Sequence, residues 1–95
     1  MQNYTSFQKK VKSQNRIVQS SEHFKVTLVT LLPGAVLEKH IIPVRAKIFV
    51  VKGAIEYRSL REIKVIHHLE EYNIPKNEIH QVTAKEGAEF LLILG

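Results

Sequence analysis

The chain contains no cysteine and no aspartate. Without cysteine there is no disulfide framework, no thiolate zinc site and no cysteine nucleophile. Without aspartate a hydrolase triad would have to use glutamate, and Ser13, Ser20, Ser21 and Ser59 stand in no such arrangement with a histidine. No apolar run reaches the roughly 18–20 residues that span a bilayer. The opening stretch MQNYTSFQKKVKSQNR lacks the apolar core of a secretory signal, so a cytoplasmic protein with no membrane partner is expected. No G-x-S-x-G elbow, glycine-rich phosphate loop, H-E-x-x-H pair or dinucleotide fingerprint occurs.

What is present is an ordinary globular composition: 95 residues, 44% hydrophobic and 24% charged. That is one domain, burying about 60–65% of the surface its unfolded chain exposes. The formal charge of +5 comes from 14 lysines and arginines against nine acids, all of them glutamate. Lys9, Lys10, Lys12 and Arg16 precede the first acid, Glu22. A basic arm of this kind can touch nucleic acid, with Tyr4 and Phe7 as stacking residues. No nucleic-acid-binding motif accompanies it, so it is read as a solvated terminus over residues 1–16. Within it Tyr4, Phe7 and Val11 repeat at i, i+3, i+7, which suits a short helical turn; a mobile arm is the alternative.

From Ile17 onward the pattern is strand-like. In FKVTLVTLL, Lys25, Thr27, Val29 and Leu31 alternate with Val26, Leu28, Thr30 and Leu32. KIFVV is a β-branched and aromatic run ended by Lys52-Gly53. AIEYR, EIKVI and the closing FLLIL follow. Turn signals separate them at Leu32-Pro33-Gly34, Lys52-Gly53, Ser59-Leu60-Arg61, Pro75-Lys76-Asn77 and Lys85-Glu86-Gly87. Pro33 and Gly34 suit the centre of a type II turn. Short strands at this spacing predict an all-β sandwich or small barrel over residues 17–95.

Two stretches carry the chemistry: Gly34 through Gly53, containing His40, and Ile74 through Ala84, containing Pro75 and His80. Together they resemble the two motifs of the cupin superfamily. The first motif runs glycine, five residues, His-x-His, three or four residues, glutamate, six residues, glycine. Gly34, His40 and Gly53 fall on its glycine, first histidine and last glycine, and Pro43 is also common there. The second runs glycine, five residues, Pro-x-Gly, two residues, histidine, three residues, asparagine. Pro75 and His80 match it. The resemblance spans about residues 24–95 and implies a small double-stranded β-helix, or jelly-roll, barrel.

The departures fall on the ligand positions. Metal-binding cupins hold one divalent ion with three histidines and a glutamate. Here the second histidine position is Ile42 and the glutamate position is Ala46, or Lys47 under the longer spacing. The first glycine of the second motif is missing, Asn77 replaces the next, and Ala84 replaces the closing asparagine. Only His40 and His80 remain for a zinc, nickel, iron or manganese ion. Glu38, two residues from His40, is the candidate third ligand, sharing a face with it on an extended chain. His67 and His68 point to opposite faces of a strand, so one of them can look inward. His23 is expected exposed.

The resemblance therefore implies a barrel pocket lined by His40 and His80, with Ile42, Ala46, Ile48, Ile55, Tyr57 and Leu92 around them. The expectation is a non-catalytic module binding a small molecule or a protein partner, with no cofactor. The alternative is a metal-dependent enzyme of the dioxygenase or isomerase type with a reduced ligand set. A homodimer is expected, since so small a barrel leaves apolar side chains and strand edges to cover.

Overall fold

The computed structural model describes residues 13–95, and every regular element in it is a strand. In chain order these are β1 (Ser13–Ser20), β2 (Lys25–Leu31), β3 (Ala35–His40), β4 (Ala46–Ser59), β5 (Ile63–His67), β6 (Glu71–Ile74), β7 (His80–Ala84) and β8 (Ala88–Leu94). All pairings are antiparallel. One sheet places β1, β2, β8, the first half of β4 and β6 side by side. The other joins β3, β7, the second half of β4 and β5. No helix among the described residues is long and apolar enough to cross a membrane.

β4 is the hinge of the barrel. Its 14 residues pass from one sheet to the other without leaving the extended state. The expected turn at Lys52-Gly53 is thus a corner within one strand. Two backbone features make it. The pairing with β8 shifts register between Val50 and Lys52, a β-bulge. Gly53 then takes φ +78, a conformation that side chains disfavour. The bulge also reverses the inward phase: Ala46, Ile48 and Val50 are buried before it, Ile55 and Tyr57 after it. Read along the sequence, that phase change looks like two strands.

The turn at Leu32-Pro33-Gly34 forms as expected. Ala35 N–H donates to the Leu32 carbonyl at 2.9 Å, and Gly34 supplies the positive φ of +84. β1 begins at Ser13, four residues before the expected boundary, because the polar Ser13–Arg16 pair with the far end of β2, Ser13 opposite Leu31. An open strand edge recruits backbone whatever the side chains. The expected helical or mobile arm, with Tyr4 and Phe7, lies outside the described residues.

Among the described residues two non-glycine residues adopt left-handed backbone, Leu69 (φ 68) and Asn77 (φ 60). Both stand where the motif resemblance places glycines, so the backbone keeps the shape although the glycines are gone. Asparagine tolerates it, since its short polar side chain can bond locally. Leucine does not. Leu69 is 67% exposed and its side chain anchors little. Leu69→Gly is therefore expected to raise unfolding free energy by up to about 1 kcal/mol, read as a higher urea midpoint; a fall would show that the leucine side chain packs.

Candidate functional site

The interior is filled from both sheets by Val29, Leu31, Ile48, Val50, Ile55, Tyr57, Ile66, Val82 and Phe90, all 3% exposed or less. At one end this packing gives way to a cavity of about 280 Å³. Its walls are Ile42, Ile48, Ile74, Val82, Phe90 and Leu92; its polar residues are His40, His80, Glu38 and Asn15.

His40 and His80 come from neighbouring strands and stand opposite each other in the β3–β7 register. Their rings lie 4.1 Å apart, edge to face at 64°. Each ring is held the same way. His40 Nδ1 is 2.8 Å from the Glu38 carbonyl oxygen, and His80 Nδ1 is 2.9 Å from the Glu78 carbonyl oxygen. A carbonyl can only accept, so each Nδ1 carries the proton and donates it. Each Nε2 is left with its lone pair, and neither is hydrogen-bonded among the described residues. His80 is 1% exposed, so its Nε2 is a buried acceptor without a protein partner, a situation that costs about 1–3 kcal/mol if nothing fills it.

A loop contact ties the two motifs together. Asn77 N–H, in the turn before His80, donates to the Ile42 carbonyl at 2.9 Å. The left-handed Asn77 thus holds the approach to β7 against the segment that follows His40.

Behind His80 lies a second polar cluster. Tyr57, fully buried, stacks on the His80 ring at 5.1 Å and 20°. Its hydroxyl donates to Glu78 Oε1 at 2.7 Å. Arg61 Nε donates to Glu78 Oε2 at 2.9 Å and its terminal nitrogen to the Tyr72 hydroxyl at 3.3 Å. Tyr72 in turn donates to Glu62 at 2.5 Å. Arg61 holds the Glu78 carboxyl below the usual glutamate range. Burial, then the bond to Glu78, pushes the Tyr57 phenol far up. Sequence reasoning missed this cluster; its only sequence signal is the density of Arg, Glu and Tyr between residues 57 and 78.

Burial pushes His80 below the ordinary histidine value. The bond to the Glu78 carbonyl opposes this, and the neighbouring His40 adds to the depression. The unfolded chain therefore takes up a proton on acidification before native His80 does, so stability falls as pH drops below about 6.5. Urea unfolding at pH 7.5 and 5.5 should show the loss. His80→Gln should flatten the slope; an unchanged slope would mean that other groups produce it.

Several expected positions move. Tyr57 and Ile55 pack behind the cavity and do not line it. Ala46 is a buried wall residue paired with Ile74 and Leu94, again outside the lining. Ile42, Ile48 and Leu92 line the cavity as expected. Glu38 reaches the lining but is not paired with His40 on one strand face, as expected of an extended chain. Between Leu37 and His40 the strand bulges: three steps on β3 match two on β7. Leu37 and His40 both face inward, and Glu38 falls in the bulge, exposed at the rim. His67 and His68 are both exposed, as is His23 beside Glu22.

The resident group implied by the resemblance is a divalent metal ion, and the donor set does not fit it. Two imidazoles converge, Ile42 and Ala46 bring no donor, and Glu38 stands off in its bulge. Among the described residues no three His, Cys, Asp or Glu side chains gather closely enough to hold an ion, whereas metal sites use three or four protein ligands.

No protein-family model matches the chain, and no curated protein matches its sequence. Solved structures do match in three dimensions. A cupin superfamily protein from Desulfitobacterium hafniense superposes with a TM-score of 0.81 at 12% identity, over 86% of this chain and 75% of that one. An RmlC-like cupin from Shewanella frigidimarina gives 0.81 at 14% identity, over 87% and 75%. KdgF from Halomonas sp. gives 0.78 at 23% identity, over 86% and 76%. Identities this low speak for architecture alone, and on that architecture the chain has the cupin fold.

Proposed function

We propose that this protein is a binding module that holds a small molecule in the barrel cavity between His40 and His80, without a resident metal. The observation that carries the reading is the paired orientation of the two imidazoles: rings 4.1 Å apart, each Nδ1 bound to the carbonyl two residues before it, in a cavity walled mostly by aliphatic and aromatic side chains, with Glu38 and Asn15 as its other polar lining. Concave apolar sites with a few convergent polar atoms are the usual composition of ligand pockets, and about 280 Å³ lies at the small end of their range.

The metal-dependent enzyme reading requires a third ligand that Glu38, His67 and His68 do not supply. Protein purified without an affinity tag or chelator is expected to carry well under one equivalent of zinc, nickel, iron or manganese by elemental analysis. One full equivalent would overturn the reading.

Self-association belongs to the same proposal. Among the described residues β1 pairs only with β2, and none of them covers its other edge. Ile17 is 58% and Val18 50% exposed. An open edge carrying apolar side chains favours a second copy. Light scattering at micromolar concentration is expected to give twice the chain mass, and a clean monomer would refute it.

A further inference from the structure

The polar atoms that face the cavity are almost all acceptors, and this says what the ligand must bring. Both imidazoles spend their Nδ1 protons on the carbonyl two residues before them, Glu38 in β3 and Glu78 in the turn before β7. Each can therefore offer the cavity only the lone pair of Nε2. Glu38 at the rim adds a carboxylate, which also accepts. Among the described residues of the lining, Asn15, from β1, alone carries side-chain N–H groups.

An anion does not suit this set. To donate to it, an imidazole would have to take a second proton beside its neighbour's ring at 4.1 Å, against aliphatic walls, with the Glu38 charge at the entrance. A buried cation does not suit it either. Glu38, the carboxylate in the lining, is exposed in its bulge, the Glu78 carboxylate behind His80 is already bonded to Tyr57 and Arg61, and a charge buried without a partner is costly. What remains is an uncharged molecule whose O–H groups donate to Nε2.

We infer that the cavity selects an uncharged small molecule with an apolar body and one or two hydroxyl donors, the hydroxyls bonding to Nε2 of His40 and His80. The inference rests on the reading of the cavity as a ligand site and adds the class of ligand. It also accounts for the buried acceptor on His80, which has no partner among the described residues. The apolar body lies against Phe90, Ile48 and Leu92, and about 280 Å³ has room for a single ring.

Three probes of one shape separate the possibilities: phenol, anisole and benzoate. Anisole keeps the ring and oxygen but loses the donor; benzoate replaces the donor with a negative charge. Binding is followed by the ring-proton resonances of the histidines in the full-length protein. Phenol is expected to shift the His40 and His80 resonances, and to bind at least about tenfold more tightly than anisole, the worth of one hydrogen bond to a buried acceptor. Benzoate is expected not to bind. In His40→Leu, which keeps apolar volume, the preference for phenol over anisole should shrink while His80 still responds. His23→Ala, at an exposed position, serves as the unaffected control.

Anisole binding as tightly as phenol would overturn the donor inference while leaving the cavity reading intact. Preferential binding of benzoate would overturn it too, showing that the histidines protonate to meet an anion. No response of either histidine to any probe would instead refute the cavity reading itself.

Discussion

Tyr57→Ala is expected to cost about 3–5 kcal/mol of unfolding free energy, the range for truncating a large buried aromatic. Tyr57 is fully buried and touches three systems at once. It stacks on His80 at 5.1 Å, packs against Tyr72 at 4.6 Å and donates to Glu78 at 2.7 Å. Alanine would leave a cavity behind the histidine pair and deprive Glu78 of one donor. Small domains have about 5–15 kcal/mol in total, so the variant should be near unfolding at 37 °C. Tyr57→Phe separates the contributions. It keeps both ring contacts and loses only the hydroxyl bond, so about 1 kcal/mol is expected. Urea unfolding of the pair is the measurement; an equal cost for the two variants would mean that the hydrogen bond, not the ring, carries the stability.

The second large effect is expected at the barrel corner. A Cβ added to Gly53 would lie 2.6 Å from the Gly87 carbonyl oxygen and 3.2 Å from Ala88 Cα. Both are backbone atoms, at the point where Gly53 pairs with Ala88 in the β8 register, and neither can rotate away. The φ of +78 adds strain of order 1–3 kcal/mol for a residue with a side chain. Gly53→Ala is therefore expected to cost about 3 kcal/mol or more, and to broaden amide resonances along β4 and β8. Gly34 provides the contrast. It has a similar φ of +84 but open space where its Cβ would go, so Gly34→Ala should cost only about 1 kcal/mol. A Gly53→Ala no worse than Gly34→Ala would show that the corner can open without loss.

Stability at the corner and chemistry at the cavity meet in β4. The strand supplies Ile48 to the cavity wall before the corner and Tyr57 to the back of His80 after it. A change at Gly53 would thus disturb the histidine pair from a distance, through the rotation between the two halves of the strand. Histidine resonances in Gly53→Ala report this directly.

Much of the site was legible in the chain. Gly34 and Pro75 set the count to His40 and His80, and both histidines arrive on adjacent strands as that count implies. The alternation in β2 separated its two faces, and the structure buries the one that carries Thr27, Val29 and Leu31. Three features were not legible, and one physical reason covers them: a bulge changes which face a residue shows without leaving a residue-type signature. The bulge at Val50/Lys52 turned an apparent two-strand pattern into one bent strand. The bulge between Leu37 and His40 took Glu38 off the inward face. The phase change after Val50 put Ile55 and Tyr57 behind the cavity instead of around it.

The sequence by itself determined the all-β class, the turn at Pro33-Gly34, the two histidines that meet and the shortage of metal donors, because each depends on residue type or on short counts along the chain. Tertiary structure alone decided the rest. The folded backbone fixed which imidazole nitrogen is free, through a bond from each Nδ1 to the carbonyl two residues before it, since that depends on where the carbonyl stands in space. Strand pairing extended β1 back to Ser13, since an open edge takes polar backbone as readily as apolar. The Tyr57, Glu78, Arg61 and Tyr72 cluster was assembled from two strands and two turns, since side chains up to 21 positions apart in the chain become neighbours only when the two sheets close on one another.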